Sequence, residues 1–287
     1  MLQNHGDLAG RAGDPRAAVT ATREATAVYA QLIKEHPAVA RYARERIYAS
    51  FTRAIYENGR GDGRIWVPSL GDDAAAETTL REVLPAIERL AEQDSNDTGA
   101  QIGRAVVLTS LGLAVAARSP GGAVELYDRA LVAYDHVPPS FRTTPAGRES
   151  EFLIHCAEAD ALATLGRPDD AWARLRRGLE LAEASHTPVC KLLGGRALRR
   201  IGDREGAAAL LDAVVAALRP RLDEPELTVR IGLTEALGEL AEVRPEQRCA
   251  LVRDALAVWR SRPIETSYWR DREAALMAQV ASGCPSR

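Results

Sequence analysis

Lysine is almost missing from this chain: it stands only at Lys34 and Lys191, so nearly all positive charge is arginine. Aromatic residues make up 5% of the sequence, and alanine, the best helix former, is the commonest residue. Small apolar residues suit helices that approach one another closely and suit a thick β-sandwich poorly. With 37 basic and 40 acidic residues the net charge is -3, so no global field recruits nucleic acid or an anionic membrane. The cysteines (Cys156, Cys190, Cys249, Cys284) contain no C-x-x-C pair. That excludes a zinc-finger spacing and offers no disulfide framework; buried free thiols are expected, with long-range pairing left open. No apolar run approaches the roughly 20 residues of a membrane span, and the N-terminus does not read charged-then-apolar like a signal peptide. The cytoplasm is the expected compartment, the extracytoplasmic part of a membrane-anchored protein the alternative.

Catalytic motifs are missing as well. There is no P-loop, dinucleotide fingerprint, H-E-x-x-H, EF-hand loop, G-x-S-x-G elbow or kinase signature. The histidines (His5, His36, His136, His155, His186) include no pair at ligand spacing. His155 and Cys156 are neighbours on a helix, about 100° apart around its axis, so they do not face each other as base and nucleophile. Paired carboxylates such as Glu149/Glu151 and Asp169/Asp170 sit at helix starts, where the helix dipole favours them. The expectation is a chain that is not an enzyme, with no catalytic residue, no cofactor and no metal. The segment 59–73 carries Arg60-Gly61-Asp62 and the acidic group Asp62, Asp72 and Asp73. It lacks the five or more oxygen ligands of a calcium loop, and Trp66 is expected to tuck onto a neighbouring helix.

What is present is helical periodicity. Apolar residues recur at three- and four-residue spacing between short Gly, Pro and Asp clusters, and hydrophobic content of 46% is enough for a core. Internal repeats stand out at "LGLAVAARSPGGAVELYDRALVAY" (111–134), "ALATLGRPDDAWARLRRGLELA" (161–182) and "ALRRIGDREGAAALLDAVVAAL" (197–218). Gly166 precedes Ala171 by five residues, and Gly202 precedes Ala207 by the same five. A glycine supplies the positive-φ residue that ends one helix, and a small residue lets two antiparallel helices cross closely. Larger residues on the same face fill the groove: Leu175 and Leu179 in one unit, Leu210, Leu211 and Val214 in the next. One hairpin cannot bury its apolar face, so several must stack.

These residues resemble the tetratricopeptide repeat family, whose motif carries W-x2-L-G-x2-Y, then A-x3-F, then a late proline. Leu111-Gly112 matches the L-G pair and Ala123-x3-Tyr127-x2-Ala130 the second helix, while Tyr48, Phe51 and Ile55 fit the first-helix pattern before Gly59. No tryptophan stands at the motif's tryptophan position. The expected fold is all-α, a single domain over 1–287 built as an α-solenoid of about six antiparallel hairpins, a TPR-like superhelix. The hairpins read as 1–37, 41–94, 98–137, 148–186, 189–222 and 225–262, with a last helix over 266–281. Aligning Gly13 with the inter-helix glycine starts the first helix without its opening turn, which suggests a piece of a longer polypeptide or a wrongly placed start of the coding frame.

The resemblance implies that first helices line a concave surface that binds extended peptide. Carried over position by position, it gives Arg46, Arg53 and Tyr56 in the second hairpin and Arg196, Arg199 and Arg200 in the fifth as peptide-binding candidates. Two arginine stripes would favour an acidic peptide, a C-terminal carboxylate or a phosphorylated segment; solvated arginines without a partner are the other reading. The third hairpin presents Val106, Thr109, Leu113 and Ala116, an apolar patch, and the fourth Asp160. The functional expectation is a protein–protein interaction or sensor scaffold within a larger signalling protein. The closing "YWRDREAALMAQV" (268–280) resembles repeat regions that follow bacterial serine/threonine kinase domains. The alternative is the effector-sensing helical region of a transcription regulator.

Overall fold

A computed structural model describes residues 2–58, 67–182, 188–224, 227–261 and 267–284. Among these residues there are fourteen α-helices and no strand. Six pairs succeed one another along the chain: α1 (Leu2–Arg11) with α2 (Pro15–Glu35), α3 (Ala40–Asn58) with α4 (Asp73–Gln93), and α5 (Thr98–Val115) with α6 (Pro120–Asp135). After the short α7 (Pro139–Arg142) come α8 (Pro145–Thr164) with α9 (Pro168–Ala182), α10 (Pro188–Ile201) with α11 (Arg204–Leu218), and α12 (Leu227–Val243) with α13 (Arg248–Arg260). A last helix, α14 (Ser267–Gly283), packs on α13. Each pair packs within itself and against the next, an all-α solenoid-like array.

The turns show why these sequences make hairpins. At Gly166 the φ angle is 72° and at Gly202 it is 94°, a conformation that other residues adopt only under strain. The N–H groups of Arg167 and Asp203 donate to the carbonyls of Leu162 and Leu198, each at 3.0 Å, closing the last helical turn in a Schellman motif. Asp203 then caps α11 by accepting from Gly206 N–H at 2.8 Å. The same Gly-Asp pair recurs at Gly13-Asp14 and Gly71-Asp72, where Asp14 and Asp72 cap α2 and α4. In all four turns the alanine five residues after the glycine (Ala18, Ala76, Ala171, Ala207) is fully buried at the crossing. In the second hairpin Gly71 is left-handed; Gly59, with Arg60-Gly61-Asp62 and Trp66, lies outside the described residues.

A second device sets the packing both within and between pairs. A Cβ on Gly10 would lie 2.1 Å from the Tyr56 ring, and one on Gly112 would lie 2.4 Å from Tyr127. Each glycine is thus the hollow into which a tyrosine of another helix fits. Six large aromatic residues are spent in the interior: Tyr56, Tyr127, Tyr134, Phe152, Trp259 and Trp269 are all buried.

Two main apolar clusters fill the array, and α8 belongs to both. Its Ile154, Ala157 and Ala161 face the cluster of α3–α6, while Phe152, Cys156, Ala159 and Leu162 face that of α9–α14. Every residue from Glu151 to Ala159 is buried. By length and composition α5 would also pass for a membrane span, with a mean hydropathy of 1.2; here most of it is buried in the array as a core helix.

The thiols divide. Cys156 and Cys190 are free and buried, and burial pushes both up from their ordinary value. Cys249 and Cys284 instead form a disulfide across α13 and α14, with Cα atoms 5.4 Å apart. The two buried free thiols are as expected, and the long-range pairing left open by the sequence is taken by the other two. Antiparallel packing brings the start of α13 beside the end of α14. Between them Trp259 stacks on Trp269 with ring centroids 3.9 Å apart, and its indole N–H donates to the Trp269 carbonyl at 3.1 Å.

Candidate functional site

The first helices of the hairpins (α3, α5, α8, α10, α12) form one side of the array, and the seams between them decide what that side can hold. In the C-terminal half the seams are closed by the chain's own charges. Arg196 on α10 donates to Glu239 at 2.6 Å and to Glu235 at 3.1 Å, both on α12, and Arg199 donates to Glu239 at 3.1 Å. Arg200 pairs with Asp160 of α8 at 3.0 Å and also reaches Thr164. Burial works against the Arg196 charge, but Glu235 and Glu239 outweigh it and raise its pKa. Burial raises the pKa of Asp160, with Arg200 and Arg196 opposing.

The fifth-hairpin stripe of Arg196, Arg199 and Arg200 therefore exists, as its spacing requires, but it is neutralised within the chain. The second-hairpin candidates do not join it. Arg53 bonds Glu57 at 2.7 Å, and buried Glu57 also accepts from Thr79 at 2.8 Å. Tyr56 is 2% exposed, and its hydroxyl donates to the Asp7 carboxylate at 2.8 Å. Burial first, then that carboxylate, raises its pKa. It is a core residue seated on Gly10 of the first hairpin. Arg46 is half-buried and makes no ion pair among the described residues.

The N-terminal seam is different. The helices α3 and α5 diverge, leaving a slot of about 370 Å³. Ile47, Tyr48 and Phe51 of α3 form one wall; Gly99, Ile102, Gly103 and Val106 of α5 form the other; Ile87 and Leu90 of α4 form the floor. Two features open it. Gly99 and Gly103, one helical turn apart, line it with backbone: a Cβ on Gly99 would meet only Asp97, at 3.4 Å, and one on Gly103 would touch Ile87 of the floor at 3.1 Å. Tyr48 stands 60% exposed at the mouth instead of filling the gap. At one end Arg44 bonds Asp97, whose carboxylate also caps α5 through Ala100 N–H at 3.1 Å. The next seam, between α5 and α8, is almost filled by Leu153 and Ile154, leaving about 10 Å³.

Val106 and Thr109 of the expected apolar patch line the slot and this adjoining cleft respectively. The sequence reading also set Tyr48 and Phe51 in a first helix. It missed Gly99 and Gly103, which signal a site only once the two helices are known to flank a gap.

Among the described residues no group of three or more His, Cys, Asp or Glu side chains is placed to hold a metal. His155 is buried and its pKa is pushed down to about 4, chiefly by burial and then by Arg174. One helical turn along the same side of α8, Glu158 is pushed up to about 7 by burial, against the opposing pull of Arg174.

The chain matches no family model, and no curated protein matches it in sequence. In fold it is similar to the crystal structure of BtubC (BKLC) from P. vanneervenii, with a TM-score of 0.53 and 15% identity. The match covers 95% of this chain and 94% of that one. At that identity the likeness concerns the fold alone.

Proposed function

We propose that this chain is a non-catalytic interaction scaffold of tetratricopeptide-like build, acting within a larger signalling protein, and that a peptide or protein segment docks in the slot between α3 and α5. The observation that supports this most is the contrast between seams: the slot is open and apolar, while the seams flanking α8 and α10 are filled or ion-paired. Apolar walls supply the desolvation that anchors a partner's side chain, and the helices that form them are held by their own hairpins, so little ordering cost falls on binding.

Selection of random 12-residue peptides on the intact chain tests the reading. Selected peptides should lose binding to Gly99→Leu, in which a side chain enters the slot. Peptides that hold both proteins equally would place docking elsewhere and defeat the reading.

A second reading, the effector-sensing region of a transcription regulator, draws on the slot's size, which falls at the lower end of the roughly 300–1,000 Å³ of small-molecule pockets. Under that reading a small apolar effector, and no selected peptide, would raise the thermal midpoint of the parent and not of Gly99→Leu.

A further inference from the structure

The charge around the slot tells which segment fits it. The two wall helices carry Arg41, Arg44, Arg46, Arg53 and Arg104 against only Glu45 and Glu57, in a chain whose net charge is -3. Glu57 is buried and already shared by Arg53 and Thr79. Glu45 meets Arg41 at a long 3.4 Å, and the Arg41 side chain remains 81% exposed. Arg46 and Arg104 make no ion pair among the described residues. Arg41, Arg44, Tyr48 and Phe51 follow one another at spacings of three, four and three, so they form one stripe of α3 with the cations at one end and the apolar wall at the other. At that end Arg44 is more exposed than its partner Asp97 (56% against 12%), so what faces solvent is positive.

The slot's length sets the anchors. From Gly99 to Val107 the α5 wall rises about 12 Å at 1.5 Å per residue, and side chains one helical turn apart have Cβ atoms roughly 5–6 Å apart. Two large apolar side chains therefore fit end to end.

The geometry points to an acidic segment of another protein as the occupant, with two large apolar side chains in the slot and carboxylates beside Arg41 and Arg44. This rests on the docking reading above and adds the partner's chemistry. It differs from the arginine-stripe expectation: the cations that count are those of α3 beside the slot, because Arg41 and Arg44 keep 81% and 56% of their side chains exposed, whereas Arg196, Arg199 and Arg200 are more buried and ion-paired across the seams.

Three synthetic peptides test it by titration calorimetry on the full chain. They share two leucines one helical turn apart and differ only in flanks of glutamate, glutamine or lysine. The glutamate peptide should bind roughly three- to tenfold more tightly than the glutamine peptide, as one or two exposed charge pairs allow. The lysine peptide should bind weakest, and the spread should shrink as salt shortens the screening length. Arg41→Glu should lower the glutamate peptide's affinity several-fold and leave the glutamine peptide's unchanged. Gly99→Leu should abolish binding of all three. It should stay folded, because a Cβ there meets only Asp97, at 3.4 Å, and leucine is the better helix former; an unchanged thermal midpoint checks this.

Equal affinity of the glutamate and glutamine peptides, lost together in Gly99→Leu, would overturn the acidic preference and leave the docking reading standing. Binding that survives Gly99→Leu, or no binding at all, would overturn both. A dimer in light scattering that Gly99→Leu dissociates would give the slot to a second copy and also overturn the proposal.

Discussion

Glu158 should make this protein lose stability as pH rises through neutrality. Its side chain is 1% exposed on α8; one carboxylate oxygen accepts from Arg174 at 2.8 Å, and the other has no hydrogen-bond partner. Arg174 is not a dedicated partner, since it also bonds Asp128 of α6 at 2.8 Å. Burial therefore prevails, and the folded-state pKa rises from 4.5 to about 7. A carboxyl whose folded pKa lies above its unfolded value favours folding fully below the unfolded value, and that contribution disappears as pH climbs through the folded one. With those two values, the loss between about pH 5.5 and about pH 8 is about 2 kcal/mol. Glu158→Gln keeps the shape and removes the proton. Its stability relative to the parent should grow by that amount across the window, read from urea transitions at a series of pH values.

His155 acts in the opposite direction. Its folded pKa is depressed to about 4, so its contribution is present above 6.5 and is lost as pH falls. Because it does so in both proteins, it cancels from the difference. A difference that stays level with pH would refute the claim that burial dominates at Glu158.

Other consequences are as direct. Gly112→Ala should destabilise by about 1–3 kcal/mol despite the better helix propensity, because its new methyl meets the buried Tyr127 ring; a urea midpoint checks it, and an unchanged midpoint would show that Tyr127 can move aside. Arg196→Ala leaves Glu235 and Glu239 facing each other and should cost about 1–2 kcal/mol, with a Glu239→Gln background recovering part of it. Replacing Cys249 and Cys284 by serine opens a crosslink between residues 35 apart and should cost about 3–4 kcal/mol by chain entropy. The near-ultraviolet dichroism of the stacked Trp259 and Trp269 would report whether α14 comes away from α13.

The hairpins were legible because their signals are local. A left-handed glycine and an alanine five residues on fall within one turn and its flanks, so Gly166-Ala171 and Gly202-Ala207 read correctly from the sequence. The fate of the arginines was not local. Arg196 and Arg200 meet Glu239 and Asp160 at separations of 43 and 40 residues, across seams whose facing positions depend on how successive hairpins stack. The disulfide was hidden for the same reason, since it needs α13 and α14 to lie antiparallel. Tyr56 was misplaced by assuming that one first-helix face is free along its whole length, when its upper part packs on the first hairpin. The slot was half legible: its apolar lining reads from α3 and α5, but an opening made by two missing side chains has no signature in either helix alone.

The double allegiance of α8 bears on how the molecule comes apart. In a solenoid of independent units, unfolding can start at either tip and stop at any boundary between repeats. Here one rod supplies opposite flanks to two interiors, so neither half can melt to completion without stripping the other of a wall. Amide exchange along α8 should accordingly be the slowest in the chain and follow the global transition, with the tips fraying first.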